Sequence, residues 1–120
     1  MDGIFNIKSK VVVVTGSGRG NGKAIADGFL KRGSLVCGID IHFEELEKEY
    51  ENYFKISFNL EELDKIPELV KIIYNRHRRI DVLINNAGIS LSGENPYNEE
   101  LLEKTLTVNL KAPYILSYHV

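Results

Sequence analysis

Cysteine is almost absent from this 120-residue chain: Cys37 is the only one. That excludes an internal disulfide framework and suits a reducing compartment. A long apolar run is missing too. The N-terminus MDGIFNIKSK has no hydrophobic stretch of the kind a secretory signal carries, and the valine run that follows is four residues long and meets a polar loop. These features argue against a signal peptide or a membrane span, so the expected location is the cytoplasm. Nor is there an excess of one charge. Fifteen Lys and Arg against seventeen Asp and Glu leave a formal net charge of -2, too little for a broad field toward nucleic acid or an anionic membrane. Repeats, low-complexity segments and Pro/Gly-rich linkers are also lacking. With 43% hydrophobic and 27% charged residues, the composition is that of one ordinary globular domain.

What is present alternates between strand and helix. Residues 10–15 read as a strand whose valines are continuous, as in a parallel sheet covered on both faces. A helix is expected over 20–31, with Ile25, Ala26, Phe29 and Leu30 on one face, then a second buried strand over 35–40. A short, highly charged helix is expected over 43–51 and a third strand over 53–58. The next helix should run from about Asp64, as N-cap, to Arg78, with Pro67 in its first turn and Leu63, Ile66, Leu69, Val70 and Ile73 at helical spacing. A fourth strand over 81–85, a polar loop through Gly93 and Pro96, and a last helix from about Asn98 complete the pattern. The fold class is α/β, a doubly wound parallel sheet with right-handed crossovers.

In such a fold the first strand-to-helix turn faces the edge where dinucleotides bind. Here that turn reads TGSGRGNG. Gly16 can make the tight turn, Gly20 lets the backbone approach a pyrophosphate, and Gly22 permits close packing of helix on strand. The helix N-terminus offers unpaired N–H groups and partial positive charge to phosphates. The loop does not end in Gly-Lys-Ser/Thr, so it is not a P-loop. Asp40 ends the second strand, 18 positions after Gly22, where its carboxylate can accept from both ribose hydroxyls. A 2′-phosphate would meet it as a like charge. At about 4 Å and an effective dielectric near 20 that repulsion is on the order of 4 kcal/mol before screening. Even half of it favours NAD over NADP by about tenfold or more. Arg19 pulls the other way, as a potential partner of a 2′-phosphate, but Asp40 weighs more.

With the glycine loop, Asn85-Asn86-Ala87-Gly88 after the fourth strand, and Val108-Asn109 in the last helix all in order, the chain resembles the short-chain dehydrogenase/reductase family. The likeness runs along essentially all of it and corresponds to the N-terminal half of a family member, a Rossmann-like sheet of strand order 3-2-1-4. The resemblance implies that Gly16, Arg19, Gly20, Asn21 and Gly22 surround the pyrophosphate and adenosine ribose. Asp40 and the backbone of Ile41 would hold the ribose. Asn59 and Leu60 would lie beside the adenine, where relatives often carry Asp and an aliphatic residue. Asn86, Ala87 and Gly88 would run along the cofactor, and Asn109 would support a proton relay through a water. Two departures stand out: Asn21 replaces an aliphatic residue, and Arg76-His77-Arg78-Arg79 replaces a glycine-containing turn. The basic run reads as a solvated helix end.

Family members transfer hydride between a nicotinamide and an alcohol or carbonyl carbon, with a serine, a tyrosine and a lysine four positions after the tyrosine. The lysine matters because an unassisted tyrosine is a poor base at neutral pH. No Tyr-x-x-x-Lys occurs here, since Tyr50, Tyr53, Tyr74, Tyr97 and Tyr114 are followed four places on by Phe54, Ser57, Arg78, Leu101 and Tyr118. Tyr74 with Arg78 is no substitute, because arginine does not titrate. Tyr114 and Tyr118 are expected on the buried face of their helix, and His42, His77 and His119 are too scattered for a metal. Of the catalytic set only Asn109 is present. The expectation is therefore an NAD(P)-dependent oxidoreductase in its full-length form, acting on a small alcohol or carbonyl compound and pairing into dimers or tetramers. Residues 1–120 alone are expected to be inactive. The alternative is a catalytically inactive NAD-binding module or the product of a truncated gene. The fourth strand, left as an uncovered edge, leads to an expectation of low stability.

Overall fold

The structure, a computed structural model, describes residues 6–89 and 98–120. The polar loop expected through Gly93 and Pro96 lies outside the described residues. Strand β1, Val11–Thr15, is buried at every position, as its unbroken valine run requires. It lies between β2, Leu35–Asp40, and β4, Val82–Ile84, with β3, Tyr53–Ser57, beyond β2. All pairings are parallel and the order is β3-β2-β1-β4. Val13 pairs with Cys37 on one side and Leu83 on the other.

Alternate residues of a strand point to opposite faces, and each face here has its own layer. Val12, Val14 and Val36 pack with Ala26 and Leu30 of α1, Gly20–Lys31. Val13, Cys37 and Ile39 pack with Ile66, Leu69, Val70 and Ile73 of α2, Ile66–His77. Ala112 and Leu116 of α4, Ala112–His119, join that second layer. Each such buried valine or leucine is worth roughly 1.5–3 kcal/mol of transfer free energy, so β1 is the fold's hydrophobic spine. The chain is a doubly wound, Rossmann-like sheet. Among the described residues no helix is long and apolar enough to cross a membrane.

Five local expectations are corrected. Residues 43–51 form no helix. Five glutamates in nine positions put like charges one turn apart, and Leu46 and Tyr50 alone reach the α1 layer. Asp64 is not the cap of α2 but lies in a 3₁₀ turn, Leu63–Lys65; α2 starts at Ile66 because Pro67 fits only its first turn. Phe58 falls outside β3, and β4 is shorter than read.

The fifth correction concerns the C-terminal helix. It comprises α3, Glu99–Leu106, a π-helical turn over Thr107–Lys111, and α4. Pro113 has no N–H to give to the Asn109 carbonyl four residues earlier, and the helix widens there. Its buried side is Ala112 and Leu116, so Tyr114 and Tyr118, half a turn away, are 77% and 79% exposed rather than buried.

The basic run is indeed a helix end, though not a purely solvated one. Arg76 stacks 4.1 Å from the Phe54 ring centroid, Arg78 closes α2 in the left-handed conformation, and Arg79 pairs with Asp81 at 2.7 Å.

Candidate dinucleotide site

The glycine loop between β1 and α1 is shaped by what its glycines lack. Gly16 turns at φ +67°, and a Cβ there would stand 2.9 Å from Ala87 Cα. A Cβ on Gly22 would overlap the Gly16 carbonyl, and one on Gly18 would overlap the His42 carbonyl. Gly20 differs. At φ +55° it has nothing within 4 Å of the place a Cβ would take, so its bare backbone faces open space. Three glycines seat the loop and one leaves it approachable.

The N-terminus of α1 opens beside Gly20. Its N-cap residue, Arg19, supplies no side-chain hydrogen bond, and the first turn holds no acidic residue. The free N–H groups and the positive end of the helix dipole are thus left for an external anion.

Thr15 links this loop to the end of β4. Its Oγ1 accepts from the backbone N–H groups of Asn86 at 3.1 Å and Ala87 at 3.0 Å. Asn86 Nδ2 donates to the Gly16 carbonyl at 3.3 Å. Across the loop, Asp40 Oδ2 accepts from Gly18 N at 2.9 Å and Oδ1 from Ile41 N at 2.7 Å. Each carboxylate oxygen keeps a further lone pair for a hydroxyl.

These elements wall a cleft of about 430 Å³, within the usual range for ligand sites. Gly16, Arg19, Gly20, Asn21, Asp40, Ile41, Asn59, Leu60, Asn86, Ala87 and Gly88 all line it. A bare helix terminus for phosphates, a carboxylate for ribose and an apolar slot at Leu60 fit a dinucleotide. Among the described residues no group of three or more His, Cys, Asp and Glu could hold a metal ion.

A family model described as short chain dehydrogenase matches residues 10–120. The chain belongs to that family. It is 32% identical to the sorbitol-6-phosphate 2-dehydrogenase of Klebsiella pneumoniae, covering 97% of this chain and 47% of that protein. It is 39% identical to an uncharacterized oxidoreductase of Thermotoga maritima, with 94% and 47% covered. Among solved structures, the ligand-free aldohexose dehydrogenase of Thermoplasma acidophilum superposes with a TM-score of 0.82 at 31% identity, covering 94% of this chain and 43% of that one. The chain spans about half the length of the curated relatives it matches.

Within the short-chain dehydrogenase frame, two of the expected site residues stand behind the cleft rather than in its wall. Gly22 packs beneath Gly16. Asn109, in the π-helical turn, accepts from Ile89 N with Oδ1 and donates to the Ile89 carbonyl with Nδ2, both at 2.7 Å. It thereby pins the segment Asn86-Ala87-Gly88-Ile89 to the last helix. Asn59 lines the cleft, but its Oδ1 accepts from Glu61 N at 2.9 Å, so the carbonyl assigned to the adenine also shapes its own turn.

Sequence reasoning missed Ile39, Phe58, Glu61, Lys104 and Val108, which line the cleft together with Ile89. Gly18 was likewise passed over as a seat for Asp40. Reactive groups lie elsewhere. Cys37 is fully buried behind the sheet, and burial pushes its thiol up to about 12. Burial also pushes the Tyr53 hydroxyl up; it sits with Ser17 Oγ in the space that Gly38 leaves without a side chain.

Proposed function

We propose that residues 1–120 are the dinucleotide-binding part of a single short-chain dehydrogenase domain and that the whole protein is an NAD(P)-dependent oxidoreductase. Such a protein would move hydride between a nicotinamide and a small alcohol or carbonyl compound. The observation that carries this reading is that Asp40, bonded to Gly18 N, and the uncapped N-terminus of α1 with its bare Gly20 line one cleft. When bound, the dinucleotide supplies the hydride acceptor or donor. This chain's own residues would hold it: the α1 N–H groups and Gly20 at the pyrophosphate, Asp40 and the backbone of Ile41 at the adenosine ribose, Leu60 at the adenine, and Asn86 to Gly88 along its length.

NAD is the preferred form in this reading, because Asp40 would oppose a 2′-phosphate more strongly than Arg19 would attract one. Asn109 takes the role of holding the proton-relay region in register through Ile89. The serine and the Tyr-x-x-x-Lys are assigned to sequence outside these residues, so the 1–120 segment by itself is expected to bind cofactor without turnover. Pairing into dimers or tetramers and a cytoplasmic location belong to the same reading.

Calorimetric titration of the protein with NAD and with NADP tests it. The expected result is binding of both, with NAD favoured by about tenfold or more. A protein that binds neither overturns the reading, and one that prefers NADP overturns the assignment of Asp40.

A further inference from the structure

The cleft has a rim that the dinucleotide reading leaves unused. Glu61 follows the Asn59 turn on one side, Lys104 stands on α3 on the other, and both line the cleft. Lys104 Nζ lies 3.7 Å from Glu61 Oε2, closing the gap between the two elements. The Glu61 side is fixed. Asn59 Oδ1 accepts from Glu61 N at 2.9 Å, and Glu62 N donates to the Asn59 carbonyl at 3.0 Å. The Lys104 side is not. Thr105 is the only buried residue of α3, so little apolar packing holds this helix against the body. Among the described residues, Glu61–Lys104 is the ion pair that links α3 to the turn below it.

We infer that the Glu61–Lys104 pair is a clasp across the adenine end of the cleft and sets how long a bound dinucleotide stays. The inference rests on the cofactor reading above. Leu60 and Val108, next to Glu61 and one turn from Lys104, are the apolar walls of the same end. With the clasp closed, α3 and the Asn59 turn stand together over whatever lies between those walls. With it open, α3 stays anchored through the helix that continues it, at Asn109, Ala112 and Leu116, and only its hold on the Asn59 turn loosens. The side chains are 52% and 37% exposed, so the pair is an ordinary partly screened one that opens and recloses rather than a permanent bolt.

The test is the release rate of NADH from the protein, read by stopped-flow fluorescence on displacement. It is measured for the unaltered protein, for Glu61→Gln and Lys104→Gln singly and together, and for the charge swap Glu61→Lys with Lys104→Glu. Each single variant should release NADH about two- to five-fold faster, the range expected of an exposed pair. The two Gln changes together should cost no more than either alone. The swap should return the rate toward the original, and raising salt from about 0.05 to 0.5 M should speed release from the unaltered protein while leaving the Gln variants flat. Where a single variant loses its fold on melting, the swap and the salt series decide. Single variants that release at the original rate, or effects that simply add, overturn the clasp. An unaltered protein that binds no NADH overturns the cofactor reading and the clasp with it, whereas tight binding with uncoupled variants overturns the clasp alone.

Discussion

Gly22 lies directly beneath Gly16, so close that a Cβ on Gly22 would overlap the Gly16 carbonyl oxygen. The loop and the first turn of α1 are therefore one packed unit. Gly22→Ala should force them apart and lower stability by about 1–3 kcal/mol, as overpacking does, with a fall in Tm. Gly20→Ala meets no neighbour within 4 Å, but it must hold a methyl at φ +55° and sets that methyl in the cleft. Its cost to the fold should be about 1 kcal/mol, with most of the damage in NAD affinity. A fully stable Gly22→Ala, or a Gly20→Ala that binds NAD as before, contradicts this division.

Asp40→Ser removes the carboxylate assigned to the ribose and leaves a hydroxyl near Gly18 and Ile41. NAD affinity should drop and the ratio of NAD to NADP affinity should move toward NADP by about tenfold. An unchanged ratio would show that Asp40 serves only to anchor Gly18 N at 2.9 Å.

Asn109→Ala deletes both hydrogen bonds to Ile89. The expected loss is about 1–2 kcal/mol, at roughly 1 kcal/mol for each bond. Hydrogen exchange at the Ile89 amide should speed up by more than at the β1 amides, since the strand core does not depend on this contact. Equal acceleration everywhere would mean a global rather than a local role.

Arg78 ends α2 at φ 65°, a conformation that suits glycine, and its N–H reaches the Tyr74 carbonyl at 2.6 Å. Arg78→Gly keeps that bond and removes the Cβ penalty, so stability should rise by about 1 kcal/mol. A lower Tm would point to a stabilising contact of the guanidinium.

The Arg79 guanidinium, hydrogen-bonded to Asp81, and the Val11 N–H that the same carboxylate accepts at 2.8 Å hold the Asp81 carboxyl below its ordinary value of 3.8. A depressed carboxyl stabilises the fold above its unfolded pKa and loses that contribution as pH falls through the folded one. Asp81→Asn should therefore melt earlier at neutral pH, and the gap should close below about pH 4. A gap of constant size down to acid pH would contradict the assignment.

Much of the fold was legible because burial writes itself into the sequence. The continuous valines of β1 and the spacing of Ile66, Leu69, Val70 and Ile73 can be satisfied only inside a two-sided sheet and against it. The cleft was legible where it depends on backbone, at Gly16 and Gly20, and where one charge decides, at Asp40. The charged 43–51 segment misled because Leu46 and Tyr50 imitate a helical face while the glutamates around them repel. Tyr114 and Tyr118 misled because aromatic residues suggest burial, whereas the phase of α4 is set by Ala112 and Leu116. Glu61 and Lys104 were out of reach. They are distant in the chain, and no local pattern says that they meet.

The most direct test of the central claim is a crystal structure of the protein grown with NAD. The pyrophosphate is expected at the N-terminus of α1 beside Gly20, the adenosine ribose on Asp40 and the adenine between Leu60 and Val108. A dinucleotide seated elsewhere, such as in the cavity between Pro67 and Val120, or none at saturating NAD, would contradict it.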